Sequence, residues 1–392
     1  MKIHFLLVQD LLKGGGVAAY TRGVGRLLAR RGHEVTVYAT GGCRESPSVV
    51  DGMRVIWVPG MRPHWTGKLG GALMASCMEL AGSRPDVLHL HSVAAGAMAP
   101  LLTMRGVPCV IQMHGLEWMR SRWGKAAKSI LRSMERCSVS WADALTAVSH
   151  TQCDYFNREY GAACEYIPAA VEMREPRAPG LLRQHGLPTR DYILFAARLM
   201  PETGAHYLIP AYRQLKTDCS LLIAGDGSQS PAYTAHLKEL AGGDPRIHFT
   251  GNAPDELLEE LLSNARLFVQ PSEMEGLSIG LLEAMSYGLP CVASDISENL
   301  EVIGDAGLRF RSKRVEDLRT ILDEALSDSH LAEQLASRAR RRIQSRFTWN
   351  RVVDQFEDLY SRLLSGWRPE RVGQALPPSS HAAKEHSTTA TR

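Results

Sequence analysis

The most informative stretch of this 392-residue sequence reads Glu275-Gly276-Leu277-Ser278-Ile279-Gly280-Leu281-Leu282-Glu283-Ala284-Met285. From Gly276 to Ser294 the only charged residue is Glu283. A lone carboxylate in an apolar helix is costly to bury unless strong hydrogen-bond donors satisfy it. The hydroxyl groups of a sugar or of a ribose are donors of that kind.

The start of the same helix predicts an anion site between two carboxylates. Glu275 lies in the loop before the helix, Glu283 lies about one turn inside it, and Ser278 is the expected N-cap. The amides between them form a helix N-terminus, which attracts a diphosphate. These amides belong to Leu277, Ser278, Ile279 and Gly280. Two hydroxyl acceptors beside a phosphate site suit a nucleotide sugar, and the alternative is a capped structural helix with an incidental glutamate.

Apolar runs of strand length alternate with helical segments along residues 3–167 and again along 192–294. Their continuous hydrophobicity indicates strands that are covered on both faces, as in a parallel sheet. Between the two series, residues 169–190 are rich in Pro, Arg and Gly and read as a linker. The sequence therefore predicts an α/β fold of two doubly wound, Rossmann-like domains, 1–168 and 191–347, that face a central cleft.

The carboxyl-terminal part of the chain changes character after Val315. A long, charged helical segment is expected first, followed by an amphipathic helix from Asn350 to Leu364. Residues 366–392 lack apolar periodicity and are predicted to form a disordered tail.

Composition excludes several classes of protein. A formal net charge of +3 is too small for a dedicated nucleic-acid binder, so no nucleic-acid partner is expected. The eight cysteines include no C-x-x-C pair, which argues against a zinc site and for a reducing compartment. The amino-terminal apolar run is short for a signal sequence, and no stretch is long enough to span a membrane. We expect a cytoplasmic protein, with peripheral association at the inner face of the membrane left open.

In parallel sheets, ligands bind beyond the carboxyl ends of the strands, and four more sites follow predicted strands. They are the glycine loop with Gly15 and Gly16, the imidazole of His114, the guanidinium of Arg198, and the turn with Gly225 and Asp226. Each has a structural alternative: a turn without a ligand for the glycines, a hydrogen-bonded histidine, and a salt-bridged arginine. Only their convergence would favour a ligand site.

Taken together, these motifs resemble the family 4 retaining glycosyltransferases. The run from Glu275 to Met285 is similar to that family's E-x7-E signature, and the likeness extends over about residues 1–365. It implies a GT-B fold with an acceptor-side first domain, a donor-nucleotide-binding second domain, and a last helix, 348–365, that crosses back to the first. It also implies transfer of a sugar from a nucleotide diphosphate donor with retained configuration, without a metal or other cofactor, and the sequence has no D-x-D motif.

The resemblance also implies roles for individual residues. Glu275 and His114 would act on the donor sugar, Arg198 on the diphosphate, and Glu283 on the ribose hydroxyls. The remaining donor-binding positions would be Gly15, Gly16, Thr203, Gly225, Asp226, Gly276, Leu277, Ser278 and Ile279. The leaving diphosphate would help to deprotonate the acceptor, while protein groups stabilise its charge.

One position departs from the family pattern. The sequence reads Pro201-Glu202-Thr203-Gly204, where a lysine commonly takes the place of Thr203. Losing that charged contact would cost ~1.5–3 kcal/mol, or roughly ten- to a hundredfold in rate. Two functions therefore remain open: an active transferase of surface polysaccharide synthesis, or a weakened homologue that serves as a binding or assembly subunit. A nucleotide-sugar 2-epimerase is a more distant alternative.

The segment 117–136 bears on the acceptor. It carries six basic residues interleaved with aromatic and aliphatic side chains, a pattern found at membrane surfaces. A glycan or lipid-linked acceptor could dock there. The alternative is a solvated helix whose apolar side packs in the core.

Overall fold

The computed structural model describes residues 1–7, 9–12, 15–41, 46–59, 65–120 and 123–368. Within them, the first sheet has eight strands in the order β3-β4-β2-β1-β5-β6-β7-β8. The strands are β1 Lys2–Leu7, β2 Glu34–Thr40, β3 Val49–Val50, β4 Met53–Val58, β5 Val87–His91, β6 Cys109–Met113, β7 Ala144–Ala147 and β8 Cys164–Tyr166. Neighbouring strands pair in parallel except β3 with β4, a short hairpin that the sequence did not predict.

Helices cover both faces of this sheet. They are α1 Gly16–Arg30, α2 Trp65–Ala81, α3 Val93–Gly96, α4 Ala99–Leu102, α5 Lys125–Trp141 and α6 His150–Tyr160. Every residue of β5 and of β6 is buried, which is why these strands read as continuous apolar runs. Cys109 lies fully buried in β6, as expected for a cysteine that acts as a small apolar residue.

The second sheet has six parallel strands among the described residues, in the order β11-β10-β9-β12-β13-β14. Its strands are β9 Tyr192–Ala196, β10 Ser220–Ala224, β11 Ile247–Gly251, β12 Leu267–Gln270, β13 Cys291–Ser294 and β14 Leu308–Phe310. Its helices are α7 Gly180–Gln184, α8 Ala205–Arg213, α9 Pro231–Ala241, α10 Asp255–Asn264, α11 Ile279–Ser286, α12 Ser297–Ile303, α13 Val315–Ser327 and α14 Ser329–Arg346. Two sheets of this kind confirm the predicted two-domain α/β architecture.

Two segments differ from the expectations. The interval 169–190 includes α7, whose Leu182 is fully buried and donates its amide to Glu260 of α10 (3.0 Å), so the end of this interval already packs on the second domain. The charged segment after Val315 is two helices, because Asp328 accepts from the amide of Leu331 (2.9 Å) and caps α14.

The last helix, α15 Trp349–Leu364, packs on the first domain. Arg31 at the end of α1 pairs with Asp354 (2.7 Å), and His33 pairs with Glu357 (2.7 Å). The chain thus passes between the domains at 168–179 and again at 347–348, and the amide of Val171 donates to the carbonyl of Phe347 (3.0 Å) where the two passages meet. The predicted tail lies outside the described residues from residue 369 onward.

Candidate active site

The two domains meet at a few glycines. A Cβ on Gly276 would lie 2.1 Å from the carbonyl oxygen of His114, and a Cβ on Gly16 would lie 2.7 Å from Cδ1 of Ile279. Gln152 at the start of α6 also donates to the carbonyl of Gly276 (2.8 Å). The glycine loop, the end of β6 and the start of α11 therefore converge on one cleft. Lys13 and Gly14 of the predicted loop lie outside the described residues.

A cavity of about 180 Å³ opens beyond the carboxyl ends of the second sheet. It brings together the predicted Arg198, Gly225, Asp226 and Glu283. The rest of its lining is Ala196, Ala197, Ala224, Asn252, Ala253, Leu258, Leu262, Phe268 and Gly280. A mostly apolar pocket with a cation on one side and a carboxylate in its wall suits a nucleoside with its phosphate.

Glu283 lies in the second turn of α11. Burial raises the pKa of its carboxyl to about 7, an effect that the positive charge of Arg174 partly opposes. Its carboxylate accepts no hydrogen bond from the residues that the structure describes, so it is an unused acceptor at the cavity wall.

Glu275 has a different environment. Its Oε1 accepts from the hydroxyl of Ser272 (2.7 Å) and from Nε2 of Gln270 (3.0 Å), which fixes the side chain before α11. Burial raises its pKa, whereas these hydrogen bonds and the charges of Arg120 and Arg198 act in the opposite direction. One of these arginines comes from each domain.

Ser278 occupies the N-cap position of α11, but the prediction that its side chain caps the helix is wrong. Its hydroxyl donates instead to Oδ1 of Asn299, a fully buried residue whose Nδ2 donates to Ser294 Oγ (2.8 Å). The first backbone bond of this turn runs from Leu282 to the carbonyl of Ser278 (3.1 Å). The first-turn amides are thus not capped by a side chain, which leaves the helix N-terminus suited to an anion.

The backbone of His114 lies at the cleft beside Gly276, and its imidazole contacts a second histidine. Its Nε2 lies 3.2 Å from Nδ1 of His91, and His91 stacks on His89, whose Nδ1 lies 2.6 Å from the hydroxyl of Tyr360. Burial lowers the pKa of His114 to about 3, so its imidazole is neutral near pH 7. The sequence reasoning missed His89 and His91, although their alternation in a strand that ends at the cleft was visible.

The turn after β10 supports the Arg198 segment. A Cβ on Gly225 would lie 1.9 Å from the carbonyl oxygen that precedes Arg198, and the carbonyl of Asp226 accepts from Leu199 (2.9 Å). The carboxylate of Asp226 accepts from the hydroxyl of Ser228 (2.7 Å) and from its amide (2.8 Å), and both hydrogen bonds lower its pKa. Asp226 therefore uses its side chain within its own loop.

Thr203 has little donor capacity left for a ligand. Its hydroxyl lies 2.7 Å from the carbonyl oxygen of Met200 and 3.0 Å from that of Arg198, and its one proton serves these acceptors. A cation lies close by, because Nη1 of Arg120 is 3.9 Å from Oε1 of the adjacent Glu202. Sequence reasoning assigned Arg120 to a possible membrane surface and missed its place at the cleft.

The basic and aromatic segment packs partly inward. Trp118 donates to Oε2 of the buried Glu135 (3.1 Å), and the guanidinium of Arg132 lies 4.0 Å from the Trp118 ring centre. Met119 and Ile130 remain 41% and 40% exposed. Ser121 and Arg122 lie outside the described residues.

Two features that a membrane-spanning helix or a metal site would require are absent from the described part of the chain. No helix there combines the length and the apolar character needed to cross a bilayer. No group of three or more His, Cys, Asp or Glu side chains is arranged there to hold a metal ion.

Two family models match the chain. The model for group 1 glycosyl transferases matches residues 181–342, and the model for the glycosyl transferase 4-like domain matches residues 15–170. Together they cover all strands of both sheets except β1.

Individual proteins agree with these models. The chain is 28% identical over 406 residues to a glycogen synthase of Mycobacterium tuberculosis, an alignment that covers 94% of this chain and 95% of that enzyme. Its fold is similar to that of sucrose-phosphate synthase from Thermosynechococcus elongatus, with a TM-score of 0.82, 21% identity, and coverage of 94% of this chain and 100% of that one. It is also similar to Anabaena HepE in complex with UDP and glucose, with a TM-score of 0.77, 20% identity, and coverage of 92% and 99%.

Proposed function

Because the chain belongs to the family 4 glycosyltransferases and has their GT-B fold, we propose that it is a retaining hexosyltransferase that uses a nucleotide diphosphate sugar. The acceptor in this proposal is a hydroxyl of a glycan or lipid-linked glycan in surface polysaccharide synthesis. The observation that carries the proposal is the pair Glu275 and Glu283, two carboxylates on either side of a helix N-terminus that no side chain caps.

The donor nucleoside would occupy the cavity of about 180 Å³ beside Glu283. Ribose hydroxyls would donate to this carboxylate, which otherwise has no hydrogen-bond partner among the described residues. The solved HepE complex holds UDP and glucose in a protein of the same fold, which supports a nucleotide sugar as the donor class.

The diphosphate would lie between Arg198, Arg120 and the first turn of α11. A guanidinium is suited to phosphate because it is always charged and presents paired donors. Arg120 supplies the second cation that Thr203 lacks. This arrangement supports a reaction that needs no metal ion, in which protein groups stabilise the leaving diphosphate.

The sugar would lie between Glu275 and His114, with its hydroxyls donating to the Glu275 carboxylate. In the proposed step, the bond between the anomeric carbon and the diphosphate oxygen breaks. The acceptor oxygen bonds to the same face of that carbon, and its proton passes to the leaving diphosphate. The neutral His114 adds no positive charge to the site at pH 7.

The acceptor side of the proposal depends on α5. Its exposed Lys125, Arg132 and Arg136 and the apolar Ile130 could contact an anionic membrane surface that carries a lipid-linked acceptor. The protein would then act at the inner face of the membrane. Sedimentation with anionic against neutral vesicles tests this part separately, and equal recovery with both would contradict it.

The proposed function is tested by release of nucleoside diphosphate from a panel of UDP-, GDP- and dTDP-sugars, with acceptor glycans present. Glu283→Gln should raise the KM for the donor, because it replaces the charged carboxylate acceptor with a neutral amide of equal size. Glu239→Gln on the exposed face of α9 is the matched control, since that side chain is 79% exposed.

The panel also separates the alternatives. Diphosphate release from one donor that depends on Glu283 supports the transferase. Nucleotide binding without release would favour the weakened homologue, a reading motivated by Thr203. A changed sugar without acceptor would indicate a 2-epimerase.

A further inference from the structure

A second and larger cavity, of about 710 Å³, opens between the two domains near the β8 edge of the first sheet. We call it the hinge cavity and define it by His150, Tyr166, Arg342, Arg346, Phe347 and Arg351. Its walls come from α6 and β8 of the first domain, from α14 of the second, and from α15. It shares no lining residue with the donor cavity.

The hinge cavity is rich in positive charge. Arg342 and Arg346 lie one turn apart on α14, and Arg351 lies in the first turn of α15. These three guanidinium groups face one lining carboxylate, that of Glu301. Glu301 in turn accepts from the amide of His150 (2.9 Å) at the start of α6.

The cations lack carboxylate partners. Arg342 donates to the carbonyls of Val302 (2.6 Å) and Glu301 (2.8 Å), which carry no net charge. Neither Arg346 nor Arg351 has a carboxylate within salt-bridge distance in the described part of the chain. Burial and the neighbouring Arg346 lower the pKa of Arg342, an effect that Asp305, Tyr166 and Glu301 oppose only in part.

The shape of the hinge cavity also suits a small molecule. Its volume lies within the roughly 300–1,000 Å³ of small-molecule pockets. The ring of Tyr166 stacks on His150 with centroids 3.8 Å apart, and Phe347 adds an apolar wall. A ligand could therefore combine an anionic group on the arginines with contacts on rings.

We propose that the hinge cavity binds a small phosphate-bearing molecule, with Arg342, Arg346 and Arg351 as its anion contacts. A guanidinium binds phosphate through paired hydrogen bonds. A phosphate dianion between the three guanidinium groups would offset the repulsion among them. The bound molecule would touch both domains beside the two passages of the chain. This site is independent of the proposed transfer reaction.

Isothermal titration of the full chain with inorganic phosphate, glucose 6-phosphate and glucose tests the proposal. The test variant is Arg346→Gln/Arg351→Gln, and the matched control is Arg158→Gln/Arg341→Gln, which removes equal charge from exposed positions outside the cavity. Saturable binding of a phosphate probe, weakened at least about tenfold in the test variant but not in the control, is expected. Glucose should not bind.

The arms of the experiment distinguish the sources of phosphate. Equal affinity for both phosphate probes means that the phosphate group alone is recognised, and tighter binding of glucose 6-phosphate means that the sugar contributes. Absence of saturable binding of either probe, or equal weakening in test and control variants, overturns the proposal. Binding that survives in the test variant but is lost in Arg198→Gln belongs to the donor cleft and also overturns it.

Discussion

The two walls of the donor cleft differ in what they offer a ligand. The second domain presents charge, through Arg198, Glu275 and Glu283, and a first turn of α11 that no side chain caps. The first domain presents mainly shape, through Gly16 and the neutral imidazole of His114. The difference suggests that the second domain recognises the donor and that the first completes the site when the walls meet, with Arg120 as its one identified charged contribution.

The sharpest test of this division is the contact between the walls. Gly276→Ala should reduce kcat by roughly a thousandfold, because its Cβ would overlap the carbonyl of His114 and disfavour the closed arrangement by about 4 kcal/mol. Nucleotide affinity, measured by titration, should change little. Gly124→Ala is the control, since no atom lies within 4 Å of that Cβ position. A variant with normal turnover would show that closure at this contact is not required.

On the second-domain wall, substitutions of Glu275 and Glu283 should affect different kinetic constants. Glu275→Gln should lower kcat by about 100- to 1,000-fold, because its carboxylate is proposed to contact the sugar that reacts. Glu283→Gln should act mostly on donor KM. Steady-state kinetics on the preferred donor measures both variants. If the two substitutions changed kcat and KM in the same way, the assignment of separate roles would be contradicted.

Arg120, the charged residue on the first-domain wall of the cleft, provides a third test. Arg120→Gln should lower kcat/KM roughly ten- to a hundredfold, as expected for losing a charged contact to the diphosphate. Adding Thr203→Lys to that variant should restore part of the loss, since it supplies a cation from the other wall. Arg158→Gln, on the exposed side of α6, is the control. Failure of the lysine to improve Arg120→Gln would argue that the two positions do not share a role.

The smallest effect concerns stability without a ligand. The pKa of Glu283 is raised to about 7 in the folded chain, so folding favours its protonated form and the ionised form destabilises the domain. Stability of the wild type should therefore fall between pH 5 and 7 relative to Glu283→Gln, with a constant difference of about 1–3 kcal/mol above pH 7. Urea unfolding at pH 5, 6, 7 and 8 measures it. A difference that is independent of pH would contradict the buried, unpartnered environment.

The sequence predicted those features that depend on local pattern. Buried parallel strands appear as continuous apolar runs, and β5, β6, β10 and β12 lie within the stretches 3–167 and 192–294 where such runs were predicted. Short edge strands carry little pattern, and β3 and β14 were missed. The placement of Glu275 and Glu283 around the start of α11 followed from their spacing, because a helix fixes which residues lie within its first turns.

What the sequence could not provide were contacts between distant segments. The hydroxyl of Ser278 was expected to cap its own helix, but the buried Asn299, 21 residues later, takes it. Arg120 and Glu202 approach each other only because the two domains face each other. Side-chain competition of this kind is decided by tertiary packing, which leaves no trace in local periodicity.

The two passages of the chain between domains restrict how the cleft can open. Two adjacent covalent connections form the hinge between the domains. They are joined by the hydrogen bond from the amide of Val171 to the carbonyl of Phe347. We expect these connections to favour rotation of the domains about this point over sliding of one domain past the other. If opening is a rotation of this kind, a single spectroscopic distance between one label on each domain would follow it.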